Sequence, residues 1–323
     1  MLPLGGQRSG DSRKRGGTTM TIIDAPSART LVAGDLAAVF LPAHGMLGAS
    51  LTHRGVELLR RVGDLDDAAA AGSTAGIPLL HPWANRLDTD RYRAAARKVV
   101  LPRSSPLLHR DANGLLIHGV PWSRLAWTVI KAKPDRLCAA LDWNRADLLA
   151  VFPFRHRLEL EATLDHEGLT LETTLIANAG DRVPVSFGFH PYVGIPGLPR
   201  VAWRLQLPAM RKHVVDARGI PTGTEEPFAA QDELLGEREF DDGFAVADEC
   251  AELSISGAGR RITVELVAGY RYAQVYAPRN GDFVALEPMT APTNALSSGR
   301  GLHVVAPGGR FRAAFRIVVE SVS

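Results

Sequence analysis

Two stretches of this chain hand titratable side chains to prolines at the ends of apolar strands. Phe283 to Leu296 reads F-V-A-L-E-P-M-T-A-P-T-N-A-L. Its first four residues predict a buried strand that delivers Glu287 into a non-helical turn broken at Pro288 and Pro292. Ser186 to Tyr192 reads S-F-G-F-H-P-Y, and here a strand starting at Val183 delivers His190 to Pro191 by the same device. A carboxylate at the mouth of a core strand loses solvation, which raises its pKa and suits it to act as a general base near neutral pH. Imidazole titrates closest to neutrality and suits the complementary acid. Taken singly, Glu287 also fits a strand-end acid in water; the polar residues elsewhere favour the chemical reading.

Those residues interrupt apolar segments. Gly76 to Leu87, G-I-P-L-L-H-P-W-A-N-R-L, packs two prolines and a tryptophan ahead of Asn85 and Arg86. Arg86 brings planar, permanently charged donors that suit a hydroxyl pair or a carboxylate, and Asn85 both donates and accepts. His118 follows an Asn113-Gly114 turn and precedes Gly119, which would let a ligand approach the backbone closely. A lone histidine of this kind fits a structural role equally well. Phe240 to Phe244, F-D-D-G-F, places Asp241 and Asp242 in an expected loop, where solvated turn acids are the simple alternative. The acid spacing matches no EF-hand loop and no H-x-x-x-H helix is present, so no metal site is expected. Cys138 and Cys250 lie far apart without a CxxC spacing, which indicates neither a disulfide framework nor zinc and fits a reducing cytoplasm.

The elements that must position these groups read as strands. Leu158 to Leu164 and Leu169 to Ile176 alternate apolar with polar around a turn at Asp165 to Gly168, which predicts an antiparallel hairpin with one face on a core. Ile262 to Leu266, Ala273 to Tyr276 and Phe311 to Val319 repeat the period of two, and only Asp64 to Ala71 leans helical. Neither alternating βα units nor a Gly-rich phosphate loop occurs, which argues against a nucleotide-binding fold. The expected class is all-β, in one domain spanning 30–323. Residues 1–29 form an extension, and the basic, Gly-rich Met1 to Thr19 is expected to be disordered, with Met20 a credible alternative start. With 37 basic against 35 acidic residues, and the basic excess at the N-terminus, there is no case for a nucleic-acid partner. No apolar run reaches the roughly 20 residues needed to span a bilayer, so no membrane partner is expected.

Six short motifs occur in the order seen in aldose 1-epimerases, the galactose mutarotase family. They are N-R at 85–86, H-G at 118–119, F-H-P-Y at 189–192, P-T-G at 221–223, D-D-x-F at 241–244 and E-P-M-T-x-x-x-N-A at 287–295. The resemblance covers roughly residues 30–320. It implies a large antiparallel β-sandwich of the galactose mutarotase type (a supersandwich) without metal or organic cofactor. It implies His190 as general acid, Glu287 as general base, Arg86 and His118 as substrate binders, Asp241 as a binder of sugar hydroxyls and Asn85 as a pocket residue. The expected activity is interconversion of the α and β anomers of a free hexose such as galactose or glucose, by a cytoplasmic monomer or homodimer whose partner is the sugar. A hexose 6-phosphate or other anionic sugar is the near alternative, with Arg91, Arg93 and Arg155 available as cations. A non-catalytic carbohydrate-binding protein on the same fold is the other. The chain departs from the family at Asp242, where a histidine is usual, and at Val193 with the G-I-P-G that follows it.

Overall fold

A computed structural model of the chain describes residues 27–61, 74–247 and 250–322. The extension through residue 26 and the helical expectation at Asp64 to Ala71 lie outside the described residues, among which the first strand begins at Arg29. The described residues are mostly antiparallel strand, as expected. A nine-stranded sheet runs, in spatial order, through strands Thr128–Lys133, Arg136–Trp143, His156–Leu164, Gly168–Ala177, Arg310–Ser321, Arg260–Ala268, Glu252–Gly257, Arg204–Leu207 and Gln231–Leu234. Its third and fourth strands are the predicted hairpin, His156–Leu164 paired with Gly168–Ala177, in which every second residue of the first strand is buried. Among the described residues the α-helices are short, Ala146–Val151 and Ala295–Ser298, and the sequence pattern predicted neither. No helix among the described residues is long and apolar enough to cross a membrane.

The second large sheet has eight strands. Its order is Pro221–Phe228, Met210–Val215, Phe240–Ala245, Tyr272–Ala277, Val284–Met289, Gly188–Phe189 and Leu79–Leu80, with Tyr192–Val193 also pairing with Val284–Met289. Two faces follow from the period of two. Val284 and Leu286, with Ala273, Val275, Phe244, Phe187 and Phe189, enter the core shared with the nine-stranded sheet, where the Phe189 and Phe315 rings lie 5.1 Å apart. The alternate positions, Ala285, Glu287 and Met289 with Gln274, Tyr276, Asp241 and His190, lie on the opposite face.

Three expectations are corrected here. Glu287 sits inside strand Val284–Met289, not in a turn after it, and Pro288 is within the same strand opposite Ala273. The strand on the other side is split into Gly188–Phe189 and Tyr192–Val193, and an interrupted ladder accommodates a residue lacking an N–H. Asp241 and Asp242 lie in strand Phe240–Ala245, not in a loop. The apolar segment from Val183 forms two separate strands, Val183–Val185 and Gly188–Phe189, which belong to different sheets.

Candidate active site

His190 and Glu287 meet on the eight-stranded sheet. Between the register pairs Gly188–Met289 and Tyr192–Ala285, His190 falls beside Glu287, and its Nε2 lies 3.1 Å from Glu287 Oε1. Both side chains are buried, at 5% and 2% exposure. Burial drives both toward neutrality: the carboxyl is pushed well above its ordinary value, with Asp241 adding to the rise, and the imidazole well below its own. The pair therefore holds one proton between them. The Tyr192 hydroxyl stands 3.2 Å from the same Nε2, hydrogen-bonds with the Thr74 hydroxyl, and its ring stacks on the imidazole at 4.1 Å. Among the described residues, His190 Nδ1 and Glu287 Oε2 have no hydrogen-bond partner.

The remaining expected residues form one connected group with this pair. The His118 ring meets His190 edge-on at 5.5 Å. His118 Nδ1 accepts from the Asn85 backbone N–H at 3.3 Å, so the neutral ring carries its proton on Nε2; burial and the Arg86 charge lower its pKa to about 3. Asn85 and His118 both occupy the left-handed region, at φ 56° and 61°, a conformation that side chains other than glycine adopt under tertiary constraint. Asn85 Oδ1 accepts from the Arg86 backbone N–H at 2.8 Å and from Arg86 Nη1 at 3.3 Å. Arg86 Nε donates to Asp111 at 2.7 Å, and Nη2 reaches Asp241 at 3.5 Å. Asp241 in turn accepts from Gln274 Nε2 at 2.7 Å, and Gln274 is the cross-strand neighbour of Glu287. The group opens to solvent at Asp241, whose side chain is half exposed.

Several participants carried no sequence signal. Gln274 reads as one more polar position of an alternating strand, and Asp111 as a turn acid; only its neighbour Arg86 could have marked it. Tyr192 reads as one more aromatic residue of the S-F-G-F-H-P-Y stretch. Arg60 was missed entirely. Its guanidinium stacks over Phe283 at 4.8 Å and Tyr192 at 5.8 Å, and its charge is felt at His190. Arg91, Arg93 and Arg155 are exposed and belong to none of these contacts. Gly119 serves the protein itself, not a ligand: at φ 65°, an added Cβ would lie 2.4 Å from the His81 carbonyl oxygen. Asp242 points away from Asp241 and pairs with Lys212 at 2.8 Å. The Gly194 to Gly197 segment lines a separate 640 Å³ cavity that includes neither His190 nor Glu287.

A two-sheet antiparallel sandwich carrying this group is of the galactose mutarotase type. The family model described as aldose 1-epimerase matches residues 30–318, and the chain belongs to that family. The chain is 25% identical over 270 residues to the uncharacterized protein YihR of Escherichia coli K12, covering 75% of this chain and 80% of that one. Among solved structures it resembles the Slr1438 protein of Synechocystis sp. PCC 6803, with a TM-score of 0.74 at 25% identity over 92% of this chain and 97% of that one. It also shares the fold of a galactose mutarotase-like protein from Clostridium acetobutylicum, with a TM-score of 0.79 at 20% identity over 91% and 95%.

Proposed function

We propose that this protein is a mutarotase that interconverts the α and β anomers of a free aldohexose such as galactose or glucose by acid and base ring opening. The observation that carries the reading is the buried contact between His190 and Glu287. The hydroxyl oxygen O1 and the ring oxygen O5 are both bonded to C1, so an acid and a base that serve them must stand side by side, as these two do. The shared proton first passes from Glu287 to His190 across their 3.1 Å contact; Glu287 then takes the O1 proton while His190 protonates O5, the C1–O5 bond breaks and the open aldehyde rotates about C1–C2. Reclosure on the other face returns both protons. The pair holds a single proton before ring opening and again after reclosure. The ring-opened stage leaves both groups neutral, the state that burial favours. His118, through its Nε2–H, and the Asn85, Arg86 and Asp241 group bind the sugar hydroxyls.

A second reading, an anionic hexose, is favoured by Arg60, which stands beside Tyr192 and makes no ion pair among the described residues. Arg60→Ala would then weaken turnover of a hexose 6-phosphate while sparing glucose.

The test is anomer exchange followed by NMR at equilibrium, with wild type and His190→Asn. Wild type should broaden and exchange the two anomeric signals, and the variant should be slower by roughly 10² or more, the usual contribution of a general catalyst. The pH profile should be a bell, because both the doubly protonated and the fully deprotonated pair lack one of the two functions. Retention of wild-type exchange in the folded variant would remove His190 from the reaction.

A further inference from the structure

The face that carries Glu287 continues beyond the group just described. In the cross-strand register Glu287 lies opposite Gln274, Gln274 opposite Gly243, and His213 opposite Glu225; the pairing of Lys212 with Phe244 brings His213 beside Gly243. A polar row thus crosses five strands on one face. At about 4.8 Å per strand, His213 stands roughly 14 Å from Glu287, whereas one pyranose ring covers about one strand spacing. A sugar held at His190 and Glu287 therefore leaves the outer end of the row uncovered.

At that end lies a 170 Å³ cavity lined by His213, Gly223, Glu225, Tyr272, Asn294 and Arg300. It adjoins the first group directly: the Asn294 backbone N–H donates to the Arg86 carbonyl at 3.0 Å, and Gly219, at the tip of the hairpin that carries His213 and Glu225, packs on the Arg86 guanidinium. His213 is buried, with Nε2 3.7 Å from Glu225 Oε1 and its ring 5.9 Å from that of Tyr272. Glu225 is held by Arg211 at 2.9 Å. Arg300 is exposed and makes no ion pair among the described residues. Its guanidinium occupies the space where any side chain on Gly223 would begin, and Gly223 is at φ 96°. The P-T-G motif at 221–223, which the reaction does not use, thereby keeps a place clear for a charged fork of donors.

We propose that this cavity is a second sugar subsite, and that the protein acts on a reducing disaccharide whose reducing unit lies at His190 and Glu287; this rests on the mutarotase reading. The Arg300 fork suits a pair of adjacent hydroxyls, His213 and Glu225 offer acceptors, and the Tyr272 ring offers an apolar face to the C–H side of a pyranose. The Glu225 carboxylate in the lining disfavours an anionic group. Gly243, between Gln274 and His213, has no side chain to obstruct the link between the two rings.

The test compares anomer exchange of glucose with that of maltose, lactose and melibiose, whose reducing unit is glucose in each case, in wild type and Arg300→Ala. At least one disaccharide should exceed glucose in kcat/KM by about tenfold in wild type, and Arg300→Ala should remove about that factor for the disaccharide while leaving glucose within about twofold. The proposal is overturned if no disaccharide exceeds glucose, or if the variant changes both substrates equally or neither. It is also overturned if Arg300→Ala weakens a hexose 6-phosphate and no disaccharide. If no sugar is turned over at all, the mutarotase reading fails, and calorimetric titration decides the subsite alone. Tighter binding of a disaccharide than of glucose, lost in Arg300→Ala, supports it; equal or absent binding of the two overturns it.

Discussion

Lowering the pH from about 6.5 to 5.5 should destabilise this fold steeply, through histidines that are buried and neutral. His81 and His156 are fully enclosed and His118 is partly buried, and desolvation lowers all three: His156 to about 4, His118 to about 3, and His81 in the same direction with His156 adding to its shift. His156 Nδ1 donates to the Phe154 carbonyl at 2.7 Å, so its Nε2 accepts from His81 Nε2 at 3.0 Å, and His81 Nδ1 is left buried without a partner that would stabilise a second proton. Below 6.5 the unfolded chain protonates these rings while the native state does not, so stability rises with pH between about 4 and 6.5. His190 and Glu287 cancel in this window: unfolded, the histidine is charged and the carboxylate has lost its proton, and folded, the pair again holds one proton. Each ring contributes at most about 1.4 kcal/mol per pH unit, a limit reached only well below 6.5, so three rings together lose about 3 kcal/mol between pH 6.5 and 5.5, a large share of a typical domain stability of about 5–15 kcal/mol. Urea unfolding followed by tryptophan fluorescence at several pH values measures the slope. His156→Gln should reduce it by about a third, whatever its effect on absolute stability. A stability that stays flat or rises as pH falls through this range would refute the reasoning.

Arg86→Lys keeps the charge but loses the fork that joins Asn85, Asp111 and Asp241, and it should raise KM about tenfold with a smaller change in kcat, as measured by coupled assay or NMR. Gly119→Ala requires a left-handed backbone and a collision with the His81 carbonyl, and should cost more than about 1 kcal/mol in denaturant unfolding. A chain beginning at Met20 should keep its melting temperature and activity, since the polar, Gly-rich residues removed have little apolar surface to bury. Dialysis against a strong chelator should leave turnover unchanged if a proton-sharing imidazole and carboxylate are the whole apparatus.

The all-β class was legible because the strands carry the period of two wherever one face is buried: the hairpin around Asp165 to Gly168 was placed to within a few residues at either end, while the sandwich followed only from the family resemblance. The same rule misplaced Glu287. A proline normally ends a central strand, and nothing local shows that the neighbouring strand is interrupted where Pro288 lies. His190, Glu287, Arg86, Asn85, His118 and Asp241 were each visible as a polar residue in an unusual setting, yet they converge through tertiary contacts between distant parts of the chain, such as Arg86 with Asp241. Gln274 and Asp111 were invisible for the complementary reason: their local settings are ordinary, and only the tertiary contacts with Asp241 and Arg86 distinguish them. Arg60 belongs with these, since its effect on His190 arises through space from an irregular segment with no motif around it.

The central claim is that Glu287 accepts the anomeric proton. The most direct measurement is the optical rotation of freshly dissolved α-D-glucose and α-D-galactose, followed with wild type and with Glu287→Gln, which preserves the shape of the side chain and removes its ability to take a proton. The expected result is a relaxation rate that increases with wild-type concentration toward an unchanged final rotation, and a fall of roughly 10² or more in the variant while calorimetric sugar affinity changes little. Near-normal relaxation with Glu287→Gln, or no acceleration of either sugar by wild type at any concentration, would contradict it.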